Sequence, residues 1–83
     1  MVERDKIYER VVELVRPLSK NRTAVENISE DTSILEDLQV NSARLVDLIL
    51  AFEDEFNIEV DDDAADSVRT IGDAVDMLAK QLS

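Results

Sequence analysis

One glycine, Gly72, and one proline, Pro17, stand among the 83 residues of this chain. That scarcity constrains the fold more than any other feature. Tight hairpin turns draw on glycine and proline for backbone angles that other residues resist. A chain with so few of them argues against an all-β fold of many short strands. What remains is helix joined by longer connections, and the apolar residues are spaced accordingly. Leu45, Leu48, Ile49, Phe52 and Phe56 form one continuous stripe, which predicts a helix over 42–56. Ile7, Val11, Leu14, Val15 and Leu18 form another over 3–18. Pro17 disfavours helical geometry in Arg16, so that helix should end or kink near Arg16. Ile71, Val75, Leu78 and Leu82 predict a last amphipathic helix over 71–82, with Thr70 and Asp73 resembling a capping box at its start.

Between these helices lies a polar connection over about 19–41, longer than compact domains usually contain. Ile28, Ile34, Leu35 and Leu38 would pin it to the core, with one short helical turn at 34–37. Asn41 or Ser42 can cap the helix that follows. After that helix, Asn57-Ile58-Glu59-Val60 reads as a short extended link. The acidic run Asp61-Asp62-Asp63-Ala64-Ala65-Asp66 then reads as a brief helix over about 62–67, since acids are favoured in a first turn. The expectation is a single all-α domain over 1–83, with three substantial helices, a short one and a long first loop.

Composition narrows the function. Ten Val, nine Leu, seven Ala and six Ile supply a core, and a domain this small needs nearly all of it, because it buries only about 60% of its unfolded surface. There is no Cys, His or Trp, so disulfides, thiol nucleophiles, His triads and His-ligated zinc are excluded. No glycine-rich phosphate loop exists. A calcium loop started at Asp61 meets Ala65 at its fifth position and Gly72 at its twelfth; one started at Asp62 meets Ala64 at its third. Both registers fail the EF-hand pattern, so no metal site is expected. Nothing suggests a carboxylate held in an apolar pocket, and an enzyme is a poor candidate. No apolar run approaches membrane-spanning length. The first residues, Met1 to Lys6, lack the apolar stretch of a signal peptide, so a cytoplasmic setting is expected.

Charge is uneven. The net −11 divides into −2 over residues 1–44 and −9 over residues 45–83. Such a surface repels nucleic acid and anionic lipid and attracts a basic protein partner.

The most informative segment is Leu35-Glu36-Asp37-Leu38-Gln39-Val40-Asn41-Ser42-Ala43-Arg44-Leu45-Val46-Asp47-Leu48. It resembles the serine region of acyl carrier proteins, whose pattern is roughly Glu-Asp-Leu-Gly-x-Asp-Ser-Leu ahead of an acidic amphipathic helix. Asp31 to Leu35, Ala51 to Val60 and Thr70 to Val75 are similar to further stretches of that family, so the likeness covers about 28–82. The resemblance implies a small four-helix bundle of the acyl-carrier type. It implies a covalent 4′-phosphopantetheine on Ser42, attached by a separate phosphopantetheinyl transferase, and no catalytic residue in the chain itself. It further implies an acyl group carried as a thioester and presented to acyl-transferring or acyl-condensing enzymes with basic docking surfaces. Asn41, Ala43, Val46, Asp47, Leu50, Glu53 and Asp54 would face those partners, and the carrier would act as a monomer. The chain departs from the pattern at Gln39 for Gly, Asn41 for Asp and Ala43 for Leu, and Arg44 stands where many members carry an acid. Those departures suggest a specialised carrier with a dedicated partner. They leave open an unmodified adaptor that binds protein through the 42–56 helix, or a carrier of peptidyl or aminoacyl cargo.

Overall fold

The computed structural model describes residues 3–82. Met1, Val2 and Ser83, the ends of the expected domain, lie outside the described residues. Five α-helices follow one another: α1 (Arg4–Val15), α2 (Arg22–Glu26), α3 (Ser42–Phe56), α4 (Asp62–Asp66) and α5 (Ile71–Leu82). A 3₁₀ turn, Arg16–Leu18, continues α1. Pro17 lies in that turn, where the α-helix gives way at the expected place. No strand is present among the described residues, only an isolated antiparallel bridge between Ser33 and Thr70.

Every α-helix but α1 starts where a side chain satisfies some of its free N–H groups; Glu3, ahead of α1, makes no such bond. Asn41 accepts from Arg44 N–H (2.9 Å) at α3, and Asp61 accepts from Ala64 N–H (2.7 Å) at α4. At α5 the capping box is reciprocal: Asp73 N–H donates to Thr70 Oγ1 (3.1 Å), and Thr70 N–H donates to Asp73 Oδ2 (3.2 Å). Aspartate therefore does the work usually given to glutamate. The far end of α3 closes on Asn57, whose left-handed backbone (φ 55°) turns its N–H onto Glu53 O. Asparagine tolerates that conformation better than most residues.

The long first connection differs from expectation in two ways. It contains α2, capped by Asn21 accepting from Ala24 N–H (3.2 Å), with Ala24 and Val25 half-buried against the core. Residues 33–38 form a single hydrogen-bonded turn at the expected place, which does not continue into a helix. Ser33 O accepts from both Asp37 N–H and Leu38 N–H at 3.0 Å. Within that turn Ile34 and Leu38 are fully buried, but Leu35 faces solvent with 42% of its surface exposed. Leu35 therefore does not pin the connection to the core, contrary to its expected role.

The core gathers Ile7, Val11 and Val15 from α1, Leu48, Ile49 and Phe52 from α3, and Ile71, Ala74, Val75 and Leu78 from α5. Burying one large aliphatic or aromatic side chain contributes about 1.5–3 kcal/mol. Leu45 and Phe56, at the ends of the α3 stripe, are half-buried. The connection itself is stitched to the start of α5. Ile34 N–H donates to Arg69 O (2.9 Å), Ile71 N–H to Thr32 O (3.0 Å) and Gly72 N–H to Glu30 O (2.8 Å). Gly72 is required here: a Cβ on it would lie 2.9 Å from the Glu30 carbonyl oxygen. Arg4 of α1 pairs with Glu30 and Asp76, and Arg10 pairs with Glu13 and Glu55. Hydrogen bonding to Glu30, then Asp76, raises the Arg4 guanidinium above its usual range, and Glu55 does the same for Arg10. Both pairs are solvent-exposed and add little stability individually.

Candidate functional site

Ser42 is the first residue of α3, and the backbone ahead of it is held at each step. Asp37 Oδ2 accepts from Ser33 N–H (2.8 Å), which closes the turn. Leu38 is buried, and its carbonyl accepts from Ser19 Oγ (2.6 Å) and Lys20 N–H (3.1 Å). Gln39 then takes a left-handed conformation (φ 55°), which lets the chain reverse between two buried residues, Leu38 and Val40. Val40 N–H donates to Ile34 O (3.1 Å). Asn41 follows in extended geometry and caps α3. The serine thus stands at the end of a pinned segment, not on a free loop.

At that end the chemistry favours an anion. Leu45 N–H bonds Asn41 O, and Arg44 N–H bonds the Asn41 side chain. The N–H groups of Ser42 and Ala43, ahead of them, have no partner among the described residues. Ser42 is exposed, and its hydroxyl makes no hydrogen bond among the described residues. A phosphate on that oxygen would meet free donors and the positive end of a 15-residue helix. With Asn at 41 the cap carries no charge, so it does not repel the phosphate. The site fits a phosphate-linked group.

Ser42, Val46, Leu50 and Asp54 are spaced four apart, so they lie along one exposed side of α3. Val46 is 58% and Leu50 55% exposed, which is high for large apolar residues on a well-packed helix. Ala43 and Asp47 are exposed on the same helix. Asn41 is exposed too, with its side-chain oxygen engaged in the cap. Glu53 is placed differently: it is half-buried and its Oε2 accepts from Val60 N–H (2.8 Å), tying the 57–60 link to α3. The sequence reading did not single out Gln39 or Ser19 as positioning residues. Gln39 had a signal, the glycine that the resembling family carries there; Ser19 had none.

Elsewhere, a cleft of about 580 Å³ lies between α4 and α5, lined in part by Asp61, Ser67, Asp76 and Met77, and does not include Ser42. Among the described residues, no helix is long and apolar enough to cross a membrane, and no group of three or more acidic residues could hold a metal ion.

The described residues thus form a small helical bundle that presents an unpartnered serine hydroxyl at the start of α3. The family model for the phosphopantetheine attachment site matches residues 9–78. The chain is 43% identical over 74 residues to the acyl carrier protein of Sinorhizobium fredii, covering 89% of this chain and 92% of that protein. The acyl carrier protein AcpP of Rhizobium meliloti matches to the same extent. The mitochondrial acyl carrier protein of Saccharomyces cerevisiae is 36% identical over 80 residues, and this chain spans 64% of its length. The solved structure of the acyl carrier protein from Enterococcus faecalis superposes with a TM-score of 0.79 at 24% identity, over 96% of this chain and 99% of that one, and shows the same fold. The chain belongs to the acyl carrier protein family, whose members are carriers serving separate enzymes and whose cofactor is 4′-phosphopantetheine.

Proposed function

We propose that Ser42 is the attachment point of 4′-phosphopantetheine, joined to its hydroxyl oxygen through a phosphodiester. The observation that carries this reading is the Ser42 hydroxyl itself, exposed and without a hydrogen-bond partner, beside the free N–H groups of Ser42 and Ala43. When bound, the arm supplies a thiol that carries an acyl group as a thioester, which a chain with no cysteine cannot supply by itself. The protein holds the phosphate end and presents the arm. Asn41 sets the helix start, while Ala43, Val46 and Leu50 offer an apolar strip to partner enzymes, bordered by Asp47, Glu53 and Asp54. A phosphopantetheinyl transferase and acyl-transferring or acyl-condensing enzymes dock there, to a monomeric carrier in a cytoplasmic setting. The departures at Gln39, Asn41, Ala43 and Arg44 favour a specialised lipid or secondary-metabolite pathway.

The test is an intact-protein mass spectrum after incubation with coenzyme A, Mg²⁺ and a broad-specificity phosphopantetheinyl transferase. A gain of one phosphopantetheine, absent from Ser42→Ala, is expected. Protein that gains no mass in this assay and is also unmodified when purified from its native cell would be an adaptor, and the reading would fall. Ser42→Ala should fold as the parent does, since the lost hydroxyl leaves no buried group unpaired.

A further inference from the structure

Arg44 stands alone. Between Thr23 and Val68 it is the only cation, set among fourteen acids. It occupies the first turn of α3, where a positive charge opposes the helix dipole and disfavours the helix. Its one ion pair among the described residues is to Asp47 at 3.4 Å, with the two side chains 59% and 56% exposed. A pair that long and that exposed contributes little to the fold. Every other arginine for which the structure gives an ion pair, Arg4 and Arg10, bridges two or more elements; Arg44 bridges none. Stability therefore does not account for it.

Its direction limits what it can contact. Two residues after Ser42, Arg44 is turned about 200° around the helix from it, so it does not face the phosphate end of a group on Ser42. It stands at the border of the exposed face, beside Asp47, about 160° around the helix from Val46 and about 120° from Leu50. There it also neutralises Asp47, the acid nearest the serine. The uncompensated acids of α3 lie at the other end, at Glu53 and Asp54, and continue into Asp61, Asp62 and Asp63.

Resting on the carrier reading above, we propose that Arg44 is a specificity-determining contact for a partner enzyme. That enzyme presents a carboxylate beside the groove that receives Ser42 and basic residues farther along, toward Asp54. The docking surface is thus polarised: neutral at the serine end of α3, where Arg44 offsets Asp47, and negative at its far end. Charge complementarity of this kind acts on association rate and on rejection of wrong partners.

The experiment compares wild type, Arg44→Gln and Arg44→Glu in two settings. In the first, a transferase whose docking edge is basic modifies each protein in vitro, with kcat and KM measured at low and high salt. Arg44→Glu is expected to raise kcat/KM about tenfold at low salt, through KM, with the gain vanishing at high salt. In the second, phosphopantetheine occupancy is measured by mass on each protein expressed in its native cell. There Arg44→Glu is expected to lower occupancy, and Arg44→Gln to fall between. Opposite signs in the two settings support the inference, because a simple gain in helix stability from Glu in the first turn would move both the same way. Equal rates, or changes of the same sign, overturn it while leaving the carrier reading intact. A wild type unmodified in both settings removes the carrier reading and this inference with it.

Discussion

Gly72→Ala should destabilise the protein, although the same exchange near a helix start usually stabilises. Gly72 is the second residue of α5, and alanine there gains helix preference and reduces the freedom of the unfolded chain, together worth about 0.5–1 kcal/mol. Against this, the added Cβ would lie 2.9 Å from the Glu30 carbonyl oxygen and 3.1 Å from the Glu30 Cβ. The carbonyl is backbone, and it is the same oxygen that accepts the Gly72 N–H at 2.8 Å. Relief requires the 28–34 segment to retreat from α5, which stretches the bonds Gly72–Glu30, Ile71–Thr32 and Ile34–Arg69 together. Overpacking costs about 1–3 kcal/mol; a clash with backbone that strains three hydrogen bonds belongs in the upper part of that range, about 2–3 kcal/mol, so the net loss should be about 1–2.5 kcal/mol after the alanine gain is subtracted. In a domain of this size that lowers Tm by roughly 5–15 °C. The assay is paired thermal and urea unfolding followed by circular dichroism, with an unchanged m-value showing that the same surface is exposed. Glu30→Gly in the same background should restore only part of the loss, because it removes the Cβ and side-chain contacts and keeps the carbonyl. A Gly72→Ala protein as stable as the parent, or more so, would refute the reasoning.

Gln39→Gly should stabilise by about 1 kcal/mol, because Gln39 holds a left-handed backbone that costs side-chain-bearing residues about 1–2 kcal/mol and glycine much less; an unchanged urea midpoint would count against it. Reversing Asp47 and Asp54 to Lys should slow association with a basic-edged transferase in a salt-dependent way and leave helicity unchanged. An association rate that neither falls nor responds to salt would remove those acids from docking. With a net charge of −11, Tm should rise by a few degrees as salt is raised from low ionic strength, and Mg²⁺ should act at lower concentration than Na⁺. A Tm insensitive to both would show that self-repulsion does not limit this fold.

The helices that a sequence reading places well are the ones whose burial is periodic. α3 runs over the expected 42–56 and α5 over the expected 71–82, because their apolar residues repeat at helical spacing and their caps are polar residues of the right kind. The first connection was harder to read, because its structure rests on side-chain-to-backbone bonds that leave no period. Asn21 starts α2, Ser33 and Asp37 close the 33–38 turn, and Ser19 holds the Leu38 carbonyl. Leu35 shows the limit most clearly: in composition it is the equal of Ile34, and only the turn decides that one is buried and the other is not. Glu53 shows the reverse case, a charged residue on an exposed-looking helix that is engaged in holding the Val60 N–H.

The residues around Ser42 that depart from the family pattern bear little on folding. The segment that positions the serine is held by buried Ile34, Leu38 and Val40, by the Ser19 hydroxyl and Lys20 N–H donating to the Leu38 carbonyl, and by the Val40 N–H donating to the Ile34 carbonyl. None of those depends on the identity of residues 41, 43 or 44. Asn41 keeps the cap that an aspartate would make, because only a side-chain oxygen in reach of the Arg44 N–H is required. Ala43 and Arg44 are exposed, so shortening one and charging the other alters the surface without opening the core. Gln39 is the single departure with a backbone cost, and a cost of about 1–2 kcal/mol is small enough for a core of this kind to offset. A scaffold that fixes its serine through the backbone leaves the flanking side chains free to vary. In this chain they are a neutral cap, a small apolar side chain and one isolated cation, and all three stand on the exposed surface rather than in the core.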